Sequence, residues 1–323
     1  MSKAFLGIDV SKHKLDIALL TEQNKLKHKV IPQTPEGFET LRAWLADRGI
    51  SQLHACMEAT GNYFEDFALF LISCGHTVSV VNPARIHAFA KSQLSRNKTD
   101  KIDAGLIARF CQSQNPKPYS APDPAIRELQ LLIRHYDSLM ESLQLQKNRL
   151  DSHDKFPKVA KSIRNIIRFL EQEIQDIRKK IEELIHNNPN IKNDRDLLVT
   201  IPGIGALTAS KLLAEIPNIK NFQSVKQLVA FAGLNPQHHS SGSSIHRKSR
   251  LSKTGSARIR KALFMPALVA KQAQSFKNFE NRLLKNGKSK MAIVGAIMRK
   301  LLHIAYGILK NNQVFNPNLA FAS

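Results

Sequence analysis

The sequence predicts a multidomain protein of α/β plus α class: an α/β domain over residues 1–115, a helical coiled-coil middle over 126–190 and a mostly helical, basic domain over 195–323. Three observations carry this. In the first third, short apolar runs at strand period alternate with amphipathic helical stretches. In the middle, apolar residues recur in an unbroken four–three rhythm. In the last third lies most of the excess positive charge. A length of 323 residues accommodates two or three domains at ~100–200 residues each.

The elements of the first part follow in order. Phe5–Val10 is a short apolar strand containing Asp9, Leu15–Leu20 a second strand and Lys27–Ile31 a third. Pro35 opens a helix on which Phe38, Leu41 and Leu45 share a face, since proline is favoured in a first helical turn. Leu53–Met57 is a fourth strand closed by Glu58, Tyr63–Cys74 is helical, and Thr77–Val81 is a fifth strand stopped at Asn82-Pro83. Another helix precedes a last one over Asp100–Cys111. The order, three strands and then alternating units, is that of a ribonuclease H-like fold.

In the middle part Ile163, Ile167, Leu170, Ile174, Ile177, Ile181 and Leu184 form an a/d seam, and Ile126, Leu129, Ile133, Tyr136, Met140 and Leu143 keep the same rhythm on an earlier helix. Asp151–Pro157 separates them. Such helices can pack within one chain or between chains, and the regularity of the seam favours an oligomer.

Charge defines the third part. Of 48 Lys and Arg against 26 Asp and Glu, residues 216–323 hold 18 basic residues and one acid, Glu280. Such a segment should bind a polyanion. A membrane surface is disfavoured, because the basic residues fall partly in Ser/Gly-rich sequence and not on one amphipathic helix. Uninterrupted apolar runs reach about nine residues, as at Ala262–Ala270, short of the ~20 that span a bilayer. The N-terminus meets Asp9 too early for a signal peptide. Cys56, Cys74 and Cys111 lie in apolar surroundings, as reduced thiols of a cytoplasmic protein do.

Within the basic part, Ile201-Pro202-Gly203-Ile204-Gly205 precedes a helix over Ala206–Ile216. Gly203 and Gly205 there suit a helix-hairpin-helix turn that brings backbone N–H groups to a phosphate; a plain tight turn is the simpler alternative. Arg247, Lys248, Arg250, Lys253, Arg258 and Arg260 are the candidate phosphate contacts. The loop His238–Ser256 also holds Ser240, Ser241, Ser243 and Ser244. A serine is a poor nucleophile unless activated, so on the residues alone these hydroxyls read first as hydrogen-bond donors to phosphate.

Four carboxylates carry the chemistry. Asp9 and Glu58 end the first and fourth strands, which a ribonuclease H-like sheet would make neighbours, and Asp100 and Asp103 share a helix face. Each alone has a structural reading, as a turn cap or a first-turn acid. Together, oxygen-only ligands select a hard cation such as Mg²⁺, with Mn²⁺ as the alternative, and a pair of such ions stabilises the attacking and leaving oxygens of a phosphodiester.

Gly7-Ile8-Asp9, Glu58-Ala59-Thr60-Gly61, Asn97-Lys98-Thr99-Asp100-x-x-Asp103-Ala104, Ile201-Pro202-Gly203-Ile204-Gly205, Ala232-Gly233-Leu234, Ser241-Gly242 and Ser252-Lys253-Thr254-Gly255 occur in this order. Together they resemble the DEDD transposases of bacterial insertion sequences, the IS110 family of bridge-RNA-guided recombinases. The resemblance covers nearly the whole chain and finds no departure from the four-acid pattern. It implies a RuvC-like N-terminal domain, metal-binding roles for Asp9, Glu58, Asp100 and Asp103, and a nucleophilic role for Ser241. It further implies an element-encoded guide RNA that pairs with donor and target DNA, a covalent phosphoserine intermediate, a dimer or tetramer with sites shared between subunits, and a nucleoid-associated location. Guidance by RNA would account for a sequence in which no separate base-reading module is evident. A metal-dependent junction nuclease using water, and a nucleic-acid-binding scaffold without activity, are the competing readings.

Overall fold

A computed structural model of the chain describes residues 4–321 apart from 22, 60–62, 94–98, 122, 154, 217, 238–239, 242–244 and 247–249. The chain divides into two compact units, Met1–Ala121 and Pro122–Ser323.

In the first unit the strands are β1 (Ala4–Val10), β2 (Lys14–Leu20), β3 (Leu26–Pro32), β4 (Leu53–Glu58) and β5 (Thr77–Val81), and the helices α1 (Pro35–Ala46), α2 (Glu65–Ser73), α3 (Pro83–Ser92) and α4 (Asp100–Gln114). They form one sheet in the order β3-β2-β1-β4-β5. The first three strands are an antiparallel meander, while β4 runs parallel to β1 and β5 parallel to β4. Strand order and direction are those expected of a ribonuclease H-like sheet, and β1 and β4 are neighbours as that fold requires. Thr34 caps α1 by accepting from the Gly37 amide, with Pro35 in the first turn. One sheet face buries Leu6, Ile8, Leu15 and Ile17 with Phe38 and Leu41 of α1 and Phe67 and Leu71 of α2. The other is covered by α4, where Ala18 and Leu20 meet Ala104 and Ala108, and Cys56 and Val81 meet Ile107, Phe110 and Cys111.

The second unit opens with α5 (Pro124–His153) and α6 (Pro157–His186), which pack together as a hairpin. All seven residues of the predicted α6 seam are buried in one core with Leu129, Ile133, Tyr136 and Leu143 of α5. The seam is therefore satisfied inside the chain. Met140 is 41% exposed and Leu139 packs inward in its place, because a straight helix drifts against a strict seven-residue repeat.

The same core continues into α7 (Pro189–Val199), α8 (Ala206–Glu215), α9 (Val225–Phe231), α10 (Ala257–Ala270), α11 (Gln274–Lys285), α12 (Lys290–Asn311) and α13 (Pro317–Phe321). Between α9 and α10 lie four two-residue strands, β6 (Pro236–Gln237), β7 (Ser240–Ser241), β8 (Ile245–His246) and β9 (Arg250–Leu251). One expectation is corrected here: α12 is long and apolar enough to cross a membrane, with a mean hydropathy of 1.5. Arg299, Lys300 and His303 interrupt its apolar runs, yet the apolar residues around them keep the average high. It is the core helix of this unit, burying Ile293, Ile297, Leu301 and Leu302 completely.

Candidate active site

The acid cluster is built by register. Gly7 of β1 pairs with Ala18 of β2 and with Cys56 of β4, so these three form a row on one sheet face. Ala18 and Cys56 pack on α4, which identifies that face as the one the helix covers. Two residues further along β1 and β4, side chains return to the same face. The next row is therefore Asp9, its antiparallel partner Asp16 and Glu58, one position past the Ile8–Met57 pair.

The helix α4 delivers the other two acids. Thr99 caps it, its hydroxyl accepting from the Ile102 amide at 3.3 Å, and this fixes Asp100 and Asp103 in the first turn. Ala104, Gly105 and Ala108 let the helix lie close on the sheet. At Gly7 the approach is backbone to backbone: a Cβ there would stand 2.1 Å from the Ala104 carbonyl oxygen. Gly7 thus sets the height of α4 above β1, and with it the distance from Asp9 to the first turn.

Asp9 feels the charge of the other aspartates. Burial, together with repulsion from Asp100, Asp103 and Asp16, raises the Asp9 carboxyl above the ordinary carboxylate value, while Lys14 opposes the rise. The Lys14 ammonium bridges Asp16 at 2.9 Å and Asp100 at 2.7 Å, and these contacts hold it firmly protonated. Lys14 and the buried Asp16 were missed in the sequence. The signal was available: a hairpin from Val10 to Lys14 sets Asp16 opposite Asp9.

Among the described residues no three His, Cys, Asp or Glu are grouped tightly enough to hold a metal as they stand. The donor set nevertheless fits a hard divalent cation. It is all oxygen, its like charges destabilise one another at Asp9, and an ammonium already sits on one of its acids, Asp100.

The predicted residues of the second unit fall in two places. Gly203 has φ +88°, and a Cβ on it would stand 2.5 Å from the Pro266 carbonyl oxygen of α10, so internal packing against α10 requires this glycine. Gly205 caps α8 with open space around its Cα, leaving the start of that helix accessible to an anion.

The serine segment holds two separate strand pairings, β6 with β9 at its base and β7 with β8 between them in the chain. Pro236 pairs with Leu251 and Gln237 with Arg250; Ser240 pairs with His246 and Ser241 with Ile245. At the base, Gly233 and Gly255 interlock: a Cβ on Gly255 would lie 2.6 Å from the Gly233 nitrogen. The guanidinium of Arg260 donates to the carbonyls of Ala232 at 3.1 Å and Gly255 at 3.0 Å. Two of the motifs noted in the sequence are thus the two halves of one knot. Arg250 and Lys253 are exposed, Arg258 lies 3.8 Å from the buried Glu215, and Arg247 and Lys248 lie outside the described residues. Beside this base, a groove of about 720 Å³ has Lys253, Arg260 and Lys261 on its rim and Phe264, Met265 and Met291 along its wall.

A carboxylate row at the end of such a sheet, in a chain whose last third is strongly basic, suits an enzyme that acts on nucleic acid. Comparison with known proteins gives the family. Residues 6–153 match the DEDD transposase model of the IS110 group, and residues 195–282 match the model described as Transposase IS116/IS110/IS902 family. The chain is 36% identical to the pilin gene-inverting protein of Moraxella bovis over 99% of both chains. It is 24% identical to the transposase of insertion sequence IS1328 from Yersinia enterocolitica, over 75% of this chain and 79% of that one. Thermus thermophilus RuvC aligns over 36% of this chain and 99% of its own, at 15% identity and a TM-score of 0.27. The chain belongs to the IS110 family of transposases, enzymes of DNA strand transfer.

Proposed function

We propose that this chain is an RNA-guided DNA recombinase that joins strands through a phosphoserine on Ser241, assisted by Mg²⁺ held by Asp9, Glu58, Asp100 and Asp103. The observation that carries the metal half is that Asp9, partly buried, feels the repulsion of Asp100, Asp103 and Asp16, an arrangement that a cation would relieve. The serine half is supported by the family and by the place of Ser241 in a segment whose two flanking motifs, at Gly233 and Gly255, pack against each other.

In this reading the Ser241 hydroxyl attacks a phosphorus. An Oγ–P bond forms, the P–O3′ bond breaks, and the departing 3′-oxygen takes a proton. Attack by another 3′-hydroxyl reverses the step on a new strand, so no ATP is needed. The metal would supply charge stabilisation for the attacking and leaving oxygens. Arg250, Lys253 and Arg258 would hold phosphates, with Arg247 and Lys248 beside them in sequence, and the open start of α8 at Gly205 would add a neutral anion contact. A guide RNA pairing with donor and target DNA would supply sequence choice. The pilin gene-inverting relative points to inversion of a DNA segment as one form the reaction takes. A dimer or tetramer fits the two-subunit site that the family implies.

The test is strand joining on a DNA substrate with guide RNA. Asp9→Asn and Asp103→Asn should abolish joining yet retain nucleic-acid binding. Joining that persists in either variant with excess chelator would refute the metal-assisted mechanism.

A further inference from the structure

We propose that Lys14 is a built-in counter-cation that competes with divalent metal for the acid cluster and so sets how tightly the site takes its metal. The inference rests on the reading that Asp9, Asp100 and Asp103 hold that metal. Its own ground is the geometry of one ammonium group. Lys14 opens β2, and its backbone is fixed by Ser11, whose amide and hydroxyl donate to the Lys14 carbonyl at 3.1 and 2.8 Å. From there Nζ reaches Asp16 at 2.9 Å and Asp100 at 2.7 Å.

The two partners are not equivalent. Asp16 is buried, with 11% of its side chain exposed, whereas that of Asp100 is 56% exposed. An ion pair with a buried carboxylate is costly to break, because it leaves a desolvated charge alone; a pair with an exposed carboxylate is weak. Lys14 is therefore anchored on Asp16 and releasable from Asp100. The oxygen it occupies, Asp100 Oδ2, belongs to the metal-binding set. A divalent ion that takes Asp100 must displace Lys14 from that oxygen, while Asp16 keeps the ammonium nearby. Without metal, the same ammonium ties the first turn of α4 to β2 and screens acids that would otherwise repel.

Isothermal titration of the full chain with Mn²⁺, at fixed pH and ionic strength, tests this directly. Lys14→Gln removes the competitor and a positive charge, and should bind Mn²⁺ roughly two- to five-fold more tightly, the range expected for losing an exposed pair. Its metal-free form should melt lower than wild type and gain more from added Mn²⁺. Lys14→Arg keeps the cation and should restore wild-type affinity. Equal or weaker binding by Lys14→Gln overturns the proposal. Asp103→Asn separates the two readings: if it abolishes Mn²⁺ binding while Lys14→Gln binds as wild type does, the metal site stands and the competition is refuted. If Asp103→Asn binds as wild type does, both fall.

Discussion

A Cβ on Gly7 would lie 2.1 Å from the carbonyl oxygen of Ala104 and 2.2 Å from the amide nitrogen of Ala108. The strand and the helix that carry the acids thus meet at a point where the alternatives to glycine do not fit. Neither backbone can yield without moving Asp9 away from Asp100 and Asp103. Gly7→Ala should lose about 3 kcal/mol or more of stability in the first unit, in the range of severe overpacking, and should weaken Mn²⁺ binding. Gly205→Ala is the control: Gly205 has ordinary φ of −87° and no neighbour near its Cα, so its melting temperature should stay near wild type. Thermal melts of the two variants check this.

Asp9 gives a prediction with a definite sign. Its carboxyl is raised in the folded state, by burial first and then by Asp100, Asp103 and Asp16, so folding favours the protonated form. Its contribution is therefore favourable in acid and lost as pH rises from the ordinary carboxylate value towards neutrality. Metal-free Asp9→Asn should melt higher than metal-free wild type at neutral pH, by about 2–6 °C. Excess Mn²⁺ should raise wild type and raise Asp9→Asn less. Differential scanning fluorimetry with and without chelator reads both effects.

Arg260 was expected to contact nucleic acid, yet its guanidinium donates to Ala232 and Gly255 within the knot. Arg260→Ala leaves both carbonyls without this partner and should cost about 1–2 kcal/mol. Because that knot flanks the segment of Ser241, strand joining should fall. The salt dependence of nucleic-acid binding should stay unchanged. A slope reduced by about one in the log–log plot of affinity against salt would instead mark Arg260 as a phosphate contact.

Much of this was legible in the sequence, and the omissions have physical causes. The strands of the first unit were readable because each is short and bounded by polar turns, and Pro35 marks a helix start by its chemistry. The acids were found as strand and helix ends. Asp16 was overlooked because its significance lies in register: it stands opposite Asp9 only once the turn between Val10 and Lys14 is counted out. Gly203 was read as an anion contact because sequence cannot say what approaches a glycine; here it is the backbone of α10. The seam of α6 was found, but its partner was not, since one periodic face serves a neighbour in the same chain as well as in another. The helix α11 was passed over because its charges dominate its composition, although Phe276, Phe279 and Leu283 keep helical spacing. Arg247 and Lys248 rest on charge alone.

The central claim is that Ser241 becomes covalently bonded to a DNA end, and end-labelled DNA on a denaturing gel tests it most directly. Wild-type protein with guide RNA and Mg²⁺ should give a slow, protease-sensitive band. Ser241→Ala should bind RNA and DNA as wild type does, yet lose both that band and the recombinant product. Persistence of the band in Ser241→Ala would move the nucleophile to Ser240, Ser243 or Ser244. Cutting at the wild-type rate by Ser241→Ala, with no covalent band in either protein, would contradict the account and make water the nucleophile of a metal-dependent nuclease.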